Sequence, residues 1–303
     1  MATLITGIAG GLAQRVAEKL NAGGEHVVGV DYRHVDGIEQ RIPGVSVYRA
    51  SYNKTAIEDV FRRHDVRALL HLGRVGNLSE SIDKRFELNV IGSQKLMSLC
   101  LQHEVESLVV LSTFHIYGAH PRNHVPISED DPLRAGTEFP QIADAIQLDN
   151  MATTWIYQHR AVRTVVLRAT NVVGPHIDNT MCKFLRRKRI PTLIGYNPMT
   201  QFVHEDDLAD AVIAARFGSA AGVYNIAGGA VIPWRTALEI AGARALPLPS
   251  SVAKAYVKAF SPFPEYLVNF FKYACVISDA RARAELDWAP KVDVRETVTS
   301  TLS

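Results

Sequence analysis

The chain has 303 residues, of which 47% are hydrophobic and 21% charged, and its formal net charge is +2 at pH 7. This length allows one large domain, or a large domain with a smaller lobe. The near balance of acidic and basic residues argues against a general surface for nucleic acid or an anionic membrane. Three widely spaced cysteines lack disulfide or metal-ligand spacing, which predicts reduced, mostly buried thiols and no metal.

The beginning of the chain predicts a cytoplasmic protein. The first apolar run starts at Ala2, so no charged leader is expected before the fold. No uninterrupted apolar stretch is long enough to span a bilayer.

Short β-branched runs alternate with longer helical patterns along the first 170 residues. The predicted buried strands are ATLIT (2–6), HVVGV (26–30), VSVY (45–48), ALLHL (68–72), LVVLS (108–112) and TVVLR (164–168). The predicted crossover helices are LAQRVAEKLNAGG, TAIEDVFRRH, the region around KRFELNVIGSQKLMSLCLQH, and QLDNMATTWIYQH. The pattern predicts an α/β fold with a Rossmann-type doubly wound parallel sheet.

The alternation loosens after Arg168, where prolines become frequent. We therefore predict a dinucleotide-binding domain at 1–170 and a mainly substrate-binding lobe at 171–303, with the chain returning to the sheet near 202–228. The basic run KFLRRKR (183–189) is either a solvated helix face or an anion site, and the first is favoured. The aromatic stretch FSPFPEYLVNFFKY (260–273) is either an interfacial anchor or a packed wall, and its prolines favour packing.

TGIAGGLA (6–13) joins the first predicted strand to the first predicted helix. Gly7 allows the tight turn, Gly10 allows close approach of a pyrophosphate, and Ala13 is small enough for the helix to pack on the strand. The helix N-terminus would offer free N–H groups to the phosphates. This context predicts a dinucleotide site.

Asp31 ends the second predicted strand, 18 residues after Ala13. A carboxylate at this place can accept hydrogen bonds from the ribose hydroxyls of adenosine. It favours NAD over NADP, because a 2′-phosphate would meet its negative charge. Arg33 and His34 follow closely and weaken that preference.

Several further segments resemble the extended short-chain dehydrogenase/reductase family, the NAD-dependent epimerases and dehydratases. HLGRV (71–75) is similar to the family's HLAA, NVIGSQKL (89–96) to its helix motif, LSTFHIYG (111–118) to SSxxVYG, LRATNVVGP (167–175) to LRxxNVxGP, FVHEDDLADA (202–211) to FVHVDDxAxA, and ELDWAPKV (285–292) to LGWxP. The resemblance implies a Rossmann domain that binds NAD(H) and a C-terminal lobe that closes over a substrate, often a nucleotide sugar.

The resemblance also implies which residues form the site. The expected cofactor contacts are Gly7, Ile8, Ala9, Gly10, Gly11, Leu12, Asp31, Tyr32, Arg33, Ser51, Leu72, Gly73, Arg74, Asn89, Leu111, Ser112, Ile142, Ile146 and Pro175. The expected substrate contacts are Thr113, Asn171 and Gln201.

Members of this family usually carry a Ser or Thr after the fifth strand and a YxxxK helix motif, and Thr113 matches the first position. Aligning Asp149 with the family's acidic residue places Ile142 at the Tyr position and Ile146 at the Lys position. Neither side chain can transfer a proton. Sliding the motif does not restore it, because position 161, four after Tyr157, is alanine.

Two other departures concern the substrate. Thr200 and Asn269 stand where sugar-nucleotide epimerases carry arginines that pair with the diphosphate, so a nucleotide sugar would bind less tightly. Asn171 matches the family's substrate-contacting asparagine. Ser51 replaces an acidic residue that reads the adenine amino group, which predicts looser adenosine recognition.

Three functions remain open at this level. In the first, the protein is an enzyme for a small molecule, and either His115 or His176 acts as a displaced acid or base. Tyr117 is assigned a structural role. Alternatively the protein is a catalytically silent NAD(H)-binding sensor or partner subunit, or a non-redox cyclase or isomerase. The resemblance also implies a homodimer formed through the two helices that flank the fifth strand; we expect no nucleic-acid or membrane partner.

Overall fold

The computed structural model describes residues 1–76, 80–252 and 267–302. Its centre is a seven-stranded sheet in the order β3-β2-β1-β4-β5-β6-β10, with every neighbouring pair parallel. The strands are β1 (Ala2–Thr6), β2 (Val27–Asp31), β3 (Ser46–Arg49), β4 (Val66–His71), β5 (Ser107–Thr113), β6 (Arg163–Ala169) and β10 (Gly222–Ile226). The predicted Rossmann-type fold class is confirmed.

Helices cover both faces of this sheet, and others pack in the C-terminal part of the chain. They are α1 (Gly11–Ala22), α2 (Ile38–Arg41), α3 (Ala56–Arg63), α4 (Ile82–Phe86), α5 (Gly92–Gln102), α6 (Ala135–Glu138), α7 (Ala143–Gln158), α8 (Thr180–Leu185), α9 (Glu205–Phe217), α10 (Trp234–Ile240), α11 (Leu267–Phe270), α12 (Ala280–Glu285) and α13 (Val294–Thr299). A π-helical segment, Glu87–Ile91, joins α4 to α5.

The C-terminal lobe contains two small sheets. β7 (Asn171–Val173), β9 (Met199–His204) and β11 (Val231–Pro233) form one of them, and β8 (Arg189–Leu193) and β12 (Arg244–Leu248) form the other. Between these pieces the chain returns to the central sheet through α9 and β10. Ion pairs hold α9 against α1, with Arg15 Nε 2.5 Å from Asp206 and Lys19 Nζ 2.5 Å from Asp210.

The core lies in two apolar layers, one on each side of the sheet. Successive strand residues point to opposite faces, so Ile5 and Val109 pack with α1 and α9, while Leu4 and Val110 pack with α3, α5 and α7. All four side chains are fully buried. Each contributes about 1.5–3 kcal/mol of transfer free energy relative to an exposed position.

A buried ion pair ties α7 to the central sheet. Arg168 on β6 donates to the Asp149 carboxylate from Nε at 3.1 Å and from Nη2 at 2.7 Å. Ser112 on β5 donates to the same carboxylate at 2.5 Å. Arg168 Nη1 also donates to the Tyr117 hydroxyl at 2.8 Å, and Tyr117 donates to Asn225 on β10 at 2.7 Å. Tyr117 is thus part of a structural network, as predicted.

Several sequence predictions concern other parts of the chain. The three cysteines are free and buried, as predicted. Within the described ranges no helix is long and apolar enough to cross a membrane. The basic run is exposed at most of its charged positions, but it spans the end of α8 and the start of β8 instead of one helix face. The first half of the 260–273 aromatic stretch, residues 260–266, lies outside the described residues.

We expect Asp149→Asn to lower the free energy of unfolding by about 3–5 kcal/mol, because it leaves the Arg168 guanidinium buried without its counter-charge. The side chains of this pair are only 0% and 5% exposed. Urea denaturation followed by circular dichroism measures the change. Glu106→Gln is the matched control, since Glu106 is 64% exposed and its pairing with Arg67 should contribute less than about 1 kcal/mol. Equal effects of the two substitutions would contradict the assigned role.

Candidate active site

A cleft of about 760 Å³ runs along the carboxyl ends of the central strands and faces the C-terminal lobe. One end is lined by the glycine-rich loop and by Asp31 at the end of β2. The other end is lined by lobe residues that include Met199, Trp234 and Phe271. Ligands of doubly wound sheets bind at this edge.

The glycine-rich loop has the shape of a phosphate cradle. Gly7 has φ of +80°, and a Cβ there would lie 2.5 Å from the Gly73 Cα. A Cβ on Gly11 would collide with the carbonyl oxygen of His176. α1 begins behind Gly10 without a side-chain cap, so its first N–H groups can be donated to a phosphate. These residues fit the pyrophosphate of a dinucleotide.

Asp31 lies where a ribose would bind, and it is bridged by Arg33. Its buried carboxylate accepts hydrogen bonds from the Ala9 N–H at 3.1 Å, the Arg33 N–H at 2.9 Å, and the Arg33 side chain at 3.1 and 2.8 Å. The Arg33 side chain must therefore move before both carboxylate oxygens can accept from ribose hydroxyls. Ser51 does not line the cleft; its hydroxyl donates to Asn53 at 2.7 Å.

The cleft wall after β4 is held from behind by buried polar groups. Thr6 Oγ1 accepts from the Gly73 N–H at 3.2 Å, and it contacts His71 Nδ1 at 2.7 Å. Burial lowers the pKa of His71 to about 4, so this ring is neutral at pH 7. Asn89 accepts from the Val75 N–H at 2.7 Å and donates to the Val75 carbonyl at 3.1 Å. Asn89 thus fixes the wall but lies outside the cleft.

Thr113 and His115 form a hydrogen-bonded pair at the middle of the cleft, where β5 ends. Thr113 Oγ1 lies 2.9 Å from His115 Nδ1, and the imidazole ring packs against Phe270 with the ring centroids 4.9 Å apart. Burial, with a further contribution from the charge of Arg74, lowers the pKa of His115 to about 3. The imidazole is therefore neutral across the physiological pH range.

The two isoleucines that open α7 have different positions. Ile142 is buried at the cleft wall, in the same cavity as Thr113 and His115. Ile146 is half-buried and packs in an apolar cluster with Ile116 and Phe139, outside the cleft. The cleft surface beside α7 is thus apolar at Ile142.

Three other predicted residues have partners outside the cleft. The His176 side chain is 67% exposed, and its Nδ1 lies 2.5 Å from the buried Glu205 carboxylate. Gln201 donates to the Ile277 carbonyl at 3.1 Å and accepts from the Ile277 N–H at 2.8 Å. Pro175 lies in the turn that the Ile177 N–H closes by donating to the Gly174 carbonyl, and it does not line the cleft.

The predicted residues that line the cleft are Gly7, Gly10, Gly11, Leu12, Asp31, Tyr32, Arg33, Leu72, Gly73, Arg74, Leu111, Ser112, Thr113, His115, Ile142 and Asn171. The predicted residues that do not line it are Ile8, Ala9, Ser51, Asn89, Ile146, Pro175, His176 and Gln201.

Some lining residues were not expected. The Tyr52 hydroxyl accepts a hydrogen bond from the Gly7 N–H at 3.0 Å, and Tyr52 lines the cleft beside the glycine-rich loop. Met199, Trp234 and Phe270 line the far end. Trp234 and Phe270 lie in segments with no motif, so only the tertiary fold brings them to the site.

A parallel doubly wound sheet with a glycine cradle and a carboxylate at the end of β2 defines a dinucleotide-binding fold. The chain belongs to the NAD-dependent epimerase/dehydratase family, whose model matches residues 3–227. The resemblance seen in the sequence is thus confirmed.

Individual proteins are also similar to this chain. An uncharacterised protein of Mycobacterium tuberculosis is 25% identical over 264 residues, which cover 83% of this chain and 69% of that protein. A UDP-glucuronate 4-epimerase of Thermodesulfobacterium geofontis is 24% identical, covering 99% of this chain and 94% of the enzyme. The crystal structure of Thermus thermophilus UDP-glucose 4-epimerase in complex with NAD matches with a TM-score of 0.79 and 24% identity, covering 100% of this chain and 98% of that chain.

We expect Gly11→Ala to weaken NAD binding strongly, because the added methyl group must displace the His176 carbonyl or the start of α1. Isothermal titration with NAD measures the loss. Gly229→Ala is the control, because a Cβ at Gly229 would meet its nearest neighbour at 3.9 Å, an ordinary contact. Unchanged NAD affinity in Gly11→Ala would show that the cofactor phosphates do not use this cradle.

Proposed function

We propose that this protein is an NAD(H)-dependent enzyme that acts on a small hydroxyl- or carbonyl-bearing substrate, with Thr113 and His115 as its proton-handling pair. The observation that carries the proposal is the 2.9 Å contact between these two side chains inside the cleft that also contains the glycine cradle. His176 is a weaker candidate, because its side chain lies outside that cleft.

The pair can guide a proton without a tyrosine or a lysine. In its neutral form His115 Nδ1 can accept a hydrogen bond from Thr113, whose hydroxyl oxygen is then oriented to accept from a substrate hydroxyl. When bound, NAD supplies the hydride acceptor. Because burial lowers the pKa of His115, the ring is a weak base that does not hold a proton at pH 7; it takes the proton only during the transfer and passes it on. This suits a reaction in which the proton goes back to the substrate.

The surroundings of the pair suit a substrate that is shielded from water. Ile142 and Phe270 supply apolar surface, and Asn171 from β7 lines the cleft as a polar group that can orient the substrate. A nucleotide sugar is disfavoured, because Thr200 and Asn269 cannot supply the charged hydrogen bonds that a diphosphate requires. We also infer a preference for NAD over NADP, because a 2′-phosphate would lie beside Asp31.

One observation favours a second candidate, a catalytically silent NAD(H)-binding protein. Ile142 and Ile146 both belong to a packed apolar cluster, which is a stable arrangement without any acid or base. The two candidates differ in a direct test. Cofactor absorbance would change with at least one substrate in a panel of alcohols and carbonyl compounds if the protein is an enzyme, whereas a silent binder would show NAD binding alone.

We expect His115→Gln to lower turnover by about 10²–10⁴-fold while NAD affinity is retained. The pH profile gives a second readout: His115 loses its neutral form only as the pH falls through about 3, so kcat/KM should show no His115 inflection between pH 5 and 8. His124→Gln is the control, since that side chain is 81% exposed and outside the cleft. Retained turnover in His115→Gln would remove this residue from the mechanism.

We further propose a homodimer formed by α4, α5 and α7. Phe86 and Ile91 are each 40% exposed on this side of the molecule, and Tyr157 is 72% exposed. The exposed positions along α7 also include Gln147 and Thr154, so this face of the helix is largely uncharged. Apolar and uncharged faces of this kind are typical of homodimer interfaces.

We expect Ile91→Glu to convert the dimer to a monomer, because a charge would be buried at the centre of the proposed interface. Sedimentation velocity measures the mass of each species. Phe217→Glu is the matched control: Phe217 is 55% exposed at the end of α9, on another side of the sheet. A monomeric wild-type protein would contradict the proposal.

A further inference from the structure

Arg74 introduces a large cation into the cleft at the end of β4. It stands at the fourth position of HLGR, where the similar HLAA pattern has alanine. The residue lines the same cavity as Thr113, His115 and Ile142. Its guanidinium lies near enough to His115 for its charge to act on that ring.

The backbone on both sides of Arg74 is anchored. The Gly73 N–H donates to Thr6, and Asn89 holds both the N–H and the carbonyl of Val75. Asn89 also donates to the buried Asp144 carboxylate at 2.5 Å. An arginine carried on an anchored backbone can present its guanidinium in a reproducible place, which a surface arginine cannot do.

Asp144 connects this anchor to α7. Its carboxylate also accepts from Arg85 Nη1 at 3.2 Å, and both side chains are at most 4% exposed. Helix α7, which follows directly after Ile142, is therefore joined through one buried network to the loop that carries Arg74. The loop with Arg74 and the segment with Ile142 are therefore held at a fixed distance from each other, on either side of the Thr113–His115 pair.

A guanidinium in such a place favours a particular ligand chemistry. Its donors form a planar fork that matches the two oxygens of a carboxylate. Phe270 and Ile142 add apolar surface to the same cleft, and apolar surroundings strengthen a charged hydrogen bond. One small molecule can carry both a carboxylate that pairs with Arg74 and a hydroxyl or carbonyl group that reacts at Thr113.

We propose that Arg74 anchors a carboxylate of the substrate, so that the substrate class is short-chain hydroxy acids and oxo acids. This inference rests on the proposed function, because it takes the Thr113–His115 pair as the reacting end of the cleft. Arg74 acts here as a substrate-binding residue that determines specificity, in place of a contact to the cofactor.

The test compares pyruvate with pyruvamide, which has the same shape but no negative charge. Binding of each is measured by isothermal titration to the full-length protein, with and without saturating NAD. We expect pyruvate to bind at least about tenfold more tightly than pyruvamide, as a charged hydrogen-bonded pair would require. In Arg74→Gln this difference should disappear while NAD affinity is unchanged.

Arg33→Gln is the matched control. Arg33 is a second arginine of the cleft, but it lies at the Asp31 end, so the preference for pyruvate should persist when it is replaced. Equal binding of the two probes by the wild-type protein, or no binding of pyruvate, overturns the proposal. A preference that survives in Arg74→Gln overturns it as well.

The design separates this inference from the proposed function. Failure of the wild-type protein to bind NAD would refute the proposed function, while the titrations without NAD still decide whether Arg74 selects a carboxylate. If Arg74→Gln weakens NAD binding and leaves the pyruvate preference intact, Arg74 is a cofactor residue and the proposal is wrong.

Discussion

The buried ion pair between Asp149 and Arg168 is the interaction on which the cleft geometry depends. It connects α7 with β6, and through Ser112 and Tyr117 it also reaches β5 and β10. Two desolvated charges are stable only with a nearly complete set of hydrogen bonds, so each partner restricts the place of the others. α7 therefore keeps one position on the sheet, and Ile142, the residue just before its first turn, lines the cleft.

A second buried network serves the opposite wall. His71, between the hydroxyls of Thr6 and Ser93, stays neutral because it is fully desolvated. Ser93 continues the chain of hydrogen bonds to the Asn89 carbonyl. His71, Ser93 and Asn89 use their polar groups in hydrogen bonds that fix the cleft wall, although their residue types are also found in active sites. This is why a neutral histidine and a buried asparagine near a cofactor cleft are not by themselves catalytic.

The proposed mechanism keeps the family's fold and assigns proton transfer to other residues. α7 supplies hydrogen-bonded anchoring through Asp144 and Asp149, and Ile142, just before it, supplies apolar surface. In the proposed mechanism, Arg74 after β4 binds the substrate, and Thr113 and His115 at the end of β5 transfer the proton. All three residues line the same cavity. A fold that depends on buried networks for its shape can change its chemistry at the cleft surface without losing its architecture.

Much of the architecture was predictable, because parallel strands buried on both faces are continuous apolar runs. The predicted and observed bounds of β1 are identical, and those of β5 differ by one residue at each end. α7 was predicted from residue 147 but begins at Ala143, after a short 3-10 turn at Pro140–Ile142. Its first turn is held by the hydrogen bonds that Asp144 accepts from Arg85 and Asn89.

The sequence by itself determined the sheet, the glycine cradle, the acidic residue after β2 and the family, because these depend on local spacing along one segment. Only the tertiary structure decided that Asn89, Gln201 and His176 point to other partners and that Tyr52, Trp234 and Phe270 enter the cleft. It also placed Arg74 and His115 in one cleft. The physical reason is that the partner of a polar side chain is chosen by three-dimensional contact between distant segments, which linear spacing does not encode.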